Sequence, residues 1–335
     1  MIEKRARTRG KSRRGMMLSL MLLAVLCVLA SDVRAQQGWV AQRRGQPGKD
    51  LNAVYFVDAK RGWIAGDGGL VLHTEDGGSN WTQQPTGTAA SLNDIYFRDK
   101  EDGYLLAGDG IFVTGDGGGT WRASTRFPST SFGGAEPELY SVRFTSKKKG
   151  WVVGSVSRRE TVVDSLVLRT ADGGATWQRQ SMPTRAELIH LDFDGDKRGW
   201  IVGDGGVILH TDDGGETWRL QKSNTSAALY HVDFQGNDRG WAVGERGTIL
   251  RTIDGGATWR MAATPLRTTL LSIKFTSDAE GWAVGRNGVI LRSEDGGQTW
   301  VQQESRTKQN LYALFLDKRT GWAVGGDGMV LRYDR

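Results

Sequence analysis

Short apolar runs separated by glycine pairs fill the chain from residue 51 onward, and they recur in groups of four. One group shows the pattern in full. Leu229-Tyr-His-Val-Asp-Phe234, Gly240-Trp-Ala-Val-Gly244, Thr248-Ile-Leu-Arg-Thr252 and Thr258-Trp-Arg-Met261 are each four to six residues long and rich in β-branched and aromatic side chains. Runs of that length, bounded by turn-forming residues, read as strands, because alternating side chains give a strand one buried face. The Gly-Trp pair that opens the second run recurs at Trp63, Trp151, Trp200, Trp241, Trp282 and Trp322, with Gly103-Tyr104 in the one gap. Successive members stand 40 to 49 residues apart. A period near 40 residues with four strands per period is the pattern of a β-propeller. The chain is expected to be all-β, a seven-bladed β-propeller of four-stranded antiparallel blades.

A second motif, Asp-Gly-Gly-x-x-Trp, follows the first six of these pairs, at Asp76, Asp116, Asp172, Asp213, Asp254 and Asp295. Each aspartate falls between the third and fourth runs. There a carboxylate can accept the backbone N–H groups of a tight turn, and glycines permit positive φ. These aspartates read as structural, and no catalytic residue is assigned. Six tryptophans from each motif, with Trp39, account for all thirteen. The seventh unit ends at Met329-Val-Leu-Arg-Tyr333 without a fourth run, while Gly38-Trp39-Val-Ala-Gln42 precedes the first unit. The N-terminal segment is expected to complete the last blade, which removes a frayed edge and locks the ring.

Charge bears on compartment rather than on fold. The formal net charge is +6, which by itself would suggest nucleic acid. Residues 1–35, however, hold eight basic residues against two acids, so residues 36–335 are formally neutral. No nucleic-acid partner is expected. The same segment runs from a basic stretch at 1–15 to an apolar stretch from Met16 to Ala30, then Val33-Arg34-Ala35 ahead of Gln36. That order is a secretory signal, and its apolar part is shorter than the roughly 20 residues that span a bilayer. The expected organisation is a signal peptide, 1–35, and a propeller, 36–335, exported to the periplasm, a thylakoid lumen or the cell exterior after cleavage near Ala35. The single cysteine, Cys27, would leave with the signal, so neither a disulfide nor a cysteine-based metal centre is expected.

The stretch Gly240–Trp259, Gly-Trp-Ala-Val-Gly through Asp-Gly-Gly-Ala-Thr-Trp, resembles the Asp-box, or bacterial neuraminidase, repeat. The form it resembles is that of the photosystem II stability/assembly factors, over about 300 residues. The resemblance implies an exported, non-enzymatic scaffold without a cofactor. Its implied client is the precursor of a photosystem II reaction-centre subunit, or another envelope protein, met on the lumenal side through an arginine-rich face. A monomer is expected.

In a ring of near-identical units, function should show as departures from the repeat. Trp121 to Trp151 spans 30 residues instead of about 23, and Trp151 to Trp177 spans 26 instead of about 18. Extra loop residues are expected around Arg122–Glu138, between blades two and three, and around Ser155–Ser165, within blade three. Both loop types emerge on the face opposite the Asp motifs. They should bring together Arg126, Phe127, Phe132, Arg158, Arg159 and Glu160, an aromatic and arginine mixture suited to a protein contact. Arg185 and Arg267, in other inter-blade loops, extend this candidate partner-binding surface, and the whole face is expected to be mildly basic.

Two further patterns bear on chemistry. His190-x-Asp192 and His231-x-Asp233 occupy equivalent positions on innermost strands of adjacent blades. Such pairs more often make inter-blade hydrogen bonds than hold an ion, and no metal site is assigned. The enzymatic alternative is a sialidase-like glycoside hydrolase, which needs an arginine cluster, a Tyr–Glu pair and an acid. Tyr140 and Tyr230 are available, but the sequence pairs neither with a glutamate. A glycan-binding propeller is the remaining alternative.

Overall fold

Seven four-stranded antiparallel sheets follow one another along the chain in a computed structural model that describes residues 38–43, 48–236, 238–318 and 320–334. The expected signal peptide, with Cys27 and the cleavage position at Ala35, lies outside the described residues. Blade 1 consists of Leu51–Phe56, Gly62–Gly66, Leu70–Thr74 and Thr82–Gln84, paired in that order. Blades 2 to 6 repeat it, with first strands Asp94–Phe97, Glu136–Phe144, Leu188–Asp194, Leu229–Gln235 and Leu270–Phe275. Blade 7 consists of Leu311–Leu316, Thr320–Gly325 and Val330–Asp334, and Gly38–Arg43 completes it from the other end of the chain. Trp39 stands opposite Tyr333 in that antiparallel pair. The closing strand expected from sequence is in place.

Aromatic stacking explains the Gly-Trp repeat. In blade 5 the ring of Phe234 lies directly on Gly240, where a Cβ would sit 2.2 Å from it. Trp200 of blade 4 stacks on Phe234 with centroids 3.3 Å apart and planes within 8°, and Trp259 meets the same ring edge-on at 5.8 Å. Glycine therefore seats the phenyl ring, and the tryptophan of the preceding blade covers it. Trp241, Phe275 and Trp300 repeat the sandwich one blade on. Blade 7 has Leu316 in place of the phenylalanine, and there Trp39 packs edge-on against Trp282 at 5.6 Å.

The Asp motif holds its turn and also faces the neighbouring blade. Asp213 Oδ1 accepts the Thr217 N–H at 2.9 Å, and its Oδ2 accepts the Thr217 hydroxyl at 2.6 Å. Thr211 Oγ1 donates to Asp213 Oδ1 at 2.7 Å and accepts the Gly215 N–H at 2.9 Å. Asp76, Asp116, Asp172, Asp254 and Asp295 hold the equivalent bonds. The turn thereby presents the carbonyl of its first glycine outward. The indole N–H groups of Trp63, Trp200 and Trp241 donate to Gly117, Gly255 and Gly296 of the following blade at 3.0–3.1 Å. Because the motif belongs to the turn, outer strands are shorter than expected: that of blade 5 is Arg260–Met261, without Thr258 and Trp259.

Candidate functional site

The first strands of the blades line an axial cavity of about 290 Å³. Each carries a pattern Leu-x-x-Φ-x-Φ (Φ, an apolar residue), and in six of the seven the pairing register slips between the first and third positions. The slip is a β-bulge, which re-aims a side chain out of strict alternation. The bulged residues are Asn52, Tyr140, Ile189, Tyr230, Leu271 and Tyr312, and all six line the cavity. One irregularity, repeated round the ring, builds the mouth.

Below the mouth lies a polar network, with Asp94, His190 and Asp233 buried and its cations half-buried. Arg143 Nη1 pairs with Asp94 Oδ2 at 2.9 Å, and its Nη2 lies 3.1 Å from His190 Nε2. His190 stacks on His231 with centroids 3.7 Å apart. Lys274 Nζ pairs with Asp233 Oδ1 at 2.5 Å. Asp192 and Asp233 each accept a backbone N–H from the next blade, Phe234 and Phe275, at 2.8 Å. The two His-x-Asp pairs thus make inter-blade hydrogen bonds. Among the described residues no group of three or more His, Cys, Asp or Glu is placed to hold a metal ion. Burial holds both imidazoles neutral, well below the usual histidine range, with nearby Arg143 acting in the same direction. Burial and then Asp233 push Asp192 up to about 6.

Blade 3 departs from the other six. Its first three strands, Glu136–Phe144, Gly150–Arg158 and Thr161–Thr170, run nine, nine and ten residues, against six, five and five in blade 1. The extra residues around Ser155–Ser165 are therefore ordered strand, which corrects the expected loop. Valines at 152, 153, 156, 162 and 163 give this stretch the β-branched content a strand favours. Only residues 127–135 of the other insertion form a connection, and it includes a 3-10 turn at Ser129–Phe132.

The two irregular segments do meet. Arg158 Nη2 donates to Gly133 O at 3.0 Å, and Arg179 lies over the Phe132 ring at 5.3 Å. Phe127 and Phe132 pack half-buried against the core between blades 2 and 3, so their rings are only partly open to a partner. Arg126 forks onto Asp109 at 3.0–3.1 Å while 73% of its side chain remains exposed. Arg159 and Glu160 form the exposed tip of the hairpin, both in the left-handed region, with φ of 49° and 63°. Arg185 is exposed in the connection from blade 3 to blade 4, and Arg267 in that from blade 5 to blade 6. Arg267 thus belongs to a different sector of the ring from the other six.

The mouth itself corrects one expectation. Tyr140, which the sequence left without a glutamate, has two. Its hydroxyl lies 2.7 Å from Glu187 Oε1, 3.2 Å from Glu138 Oε2 and 3.1 Å from Ser155 Oγ. Glu187 comes from the neighbouring blade, 47 residues away, so no local spacing announces it. Burial raises the Tyr140 phenol far above its ordinary value, and the two glutamates add to the rise. That is opposite to what a tyrosine nucleophile needs. Arg143 is the single arginine lining the cavity among the described residues, and Asp94 holds it.

A closed ring of Asp-box blades around a polar axial cavity defines a β-propeller of the Asp-box class. Residues 129–225, 216–300 and 261–334 match the family described as photosynthesis system II assembly factor YCF48. These matches run together over more than half of the chain, and the chain belongs to that family. The chloroplast photosystem II stability/assembly factor HCF136 of Oryza sativa subsp. japonica is 30% identical over 135 residues. That alignment covers 37% of this chain and 29% of the rice protein, under a third of its length. A solved structure of YCF48 bound to a D1 peptide superposes with a TM-score of 0.72 at 22% identity, over 89% of this chain and 97% of that one. Virginiamycin B lyase from Staphylococcus aureus gives 0.72 at 12% identity, over 89% and 99%. At those identities the likeness carries the fold alone, and this fold serves binders and enzymes alike.

Proposed function

We propose that the protein is a non-enzymatic scaffold that binds a client polypeptide, a photosystem II reaction-centre subunit or its precursor, on the loop face around blade 3. Membership of the YCF48 family carries the reading. The structure named for YCF48 bound to a D1 peptide supports the class of client. The position of the site is argued from departure from the repeat. Blade 3 alone is extended; its extension carries Arg158, which bonds Gly133 O next to Phe132, and Arg159 at the hairpin tip, while Arg126 and Phe127 lead into the same connection. Exposed arginines and half-buried aromatic rings on one segment of the surface are the composition of a protein contact. Arg185 and Arg267 widen the surface towards other sectors.

The test is capture of the D1 subunit from a detergent-solubilised membrane fraction by the immobilised full chain. Triple replacement of Arg126, Arg158 and Arg159 by alanine is expected to lower capture about tenfold. Capture at the wild-type level would remove blade 3 from the reading. Export belongs to the same proposal: the native mature protein should begin at Gln36, and a native N-terminus at Met1 would refute it.

The Tyr140–Glu187 contact favours one second reading, a sialidase-like hydrolase. The raised tyrosine and the occupied arginine argue against it. A fluorogenic sialoside is expected to show no turnover above buffer.

A further inference from the structure

We propose that the axial cavity binds a protonated primary amine carried on a slender aliphatic chain, either a lysine side chain or a free diamine. The inference does not rest on the client reading, since amine binding is measured without any client.

Size sets the first limit. A cavity of about 290 Å³ admits something the size of a side chain and excludes a folded domain. The wall offers apolar surface at Val54, Leu271 and Leu314, suited to methylene groups. Carboxylates at the mouth engage two of its three tyrosines. Glu138 and Glu187 hold Tyr140, and Asp50 Oδ2 accepts from the Tyr312 hydroxyl at 2.9 Å. A carboxylate or phosphate entering here would meet like charges, whereas an ammonium would be drawn in.

The floor supplies the second, independent observation. Ser141 is 1% exposed and lines the cavity, and its buried hydroxyl meets no partner among the described residues. His231 lines it too, and its Nδ1 is likewise buried without a partner. A buried polar atom left unpaired costs about 1–3 kcal/mol unless something fills the vacancy in its bonding. A hydroxyl oxygen and a neutral imidazole nitrogen can both accept, and an ammonium brings three donors and no acceptor. The resident cations do not compete for this role, because Asp94 holds Arg143 and Asp233 holds Lys274.

Isothermal titration calorimetry on the full chain tests this with three probes: 1,5-diaminopentane, Nα-acetyl-lysine N-methylamide and Nα-acetyl-glutamate N-methylamide. At least one amine is expected to bind saturably. Binding of the diamine alone assigns a free amine, and binding of the lysine derivative alone assigns a peptide-borne side chain. Glu187→Gln and Ser141→Ala, each checked for an unchanged melting temperature, should weaken the amine about tenfold. The proposal falls if neither amine binds at about 10 mM, if the glutamate derivative binds as tightly, or if correctly folded variants bind like the wild type.

Discussion

Tyr104 stands where six blades have tryptophan, and it reaches the same kind of acceptor with a different atom. Its hydroxyl donates to Gly173 O at 2.8 Å, as the indole N–H groups do to the first glycine of the following Asp box. Tyr104→Phe should therefore cost about 1 kcal/mol in urea unfolding, the net worth of one hydrogen bond, and Tyr104→Trp should restore it. The gap in the repeat was visible in the sequence, but the equivalence of phenol and indole emerged only once Gly173 lay in reach. Asp192 makes a second residue-scale case. Its pKa rises from an ordinary 3.8 to about 6 in the folded chain. A carboxyl with a raised folded pKa favours folding while protonated, so that contribution is present below about pH 4 and is lost as pH rises through about 6. Asp192→Asn should accordingly be more stable than wild type at pH 7, by on the order of 2 kcal/mol, with the gain vanishing near pH 4. Thermal melts across that range decide it; equal gains at both ends would show the aspartate is not the titrating group.

At the scale of elements, the extended hairpin of blade 3 is held in an unfavourable turn. Arg159 and Glu160 both sit at positive φ without being glycine or asparagine, a conformation in which such residues are uncommon. Arg159→Asn with Glu160→Gly should raise stability by roughly 1 kcal/mol in denaturant unfolding. The same change is expected to lower client capture, since it removes both charges from the tip. A variant neither more stable nor weaker in capture would deny the tip any special role. Residue spacing located the extra residues of blade 3 correctly but not their form, because a count of residues cannot separate a longer hairpin from a longer loop. The pairing of Tyr140 with glutamate was hidden for a different reason. A bulge at the second position of the inner strands breaks the alternation that assigns side chains to faces, and the glutamate nearest Tyr140 belongs to the next blade.

Across the whole molecule, the repeat made the ring legible from sequence, since every tryptophan had a place in it. What holds the ring shut is one strand. Removal of Gly38–Arg43 would bare the edge of Val330–Asp334 and take Trp39 away from Trp282 and Tyr333. An open edge invites pairing with another chain. The shortened protein is expected to melt lower and to associate with itself, which light scattering would register; a monomer with an unchanged melting temperature would mean that three strands suffice for blade 7. Closure also imposes an order in time. Gly38–Arg43 has no partner until Val330–Asp334 has been made, and contacts so distant in sequence are slow to form. Blades 1 to 6 can assemble in succession as they are synthesised, while Gly38–Arg43 waits. The ring cannot close before the third strand of blade 7 exists.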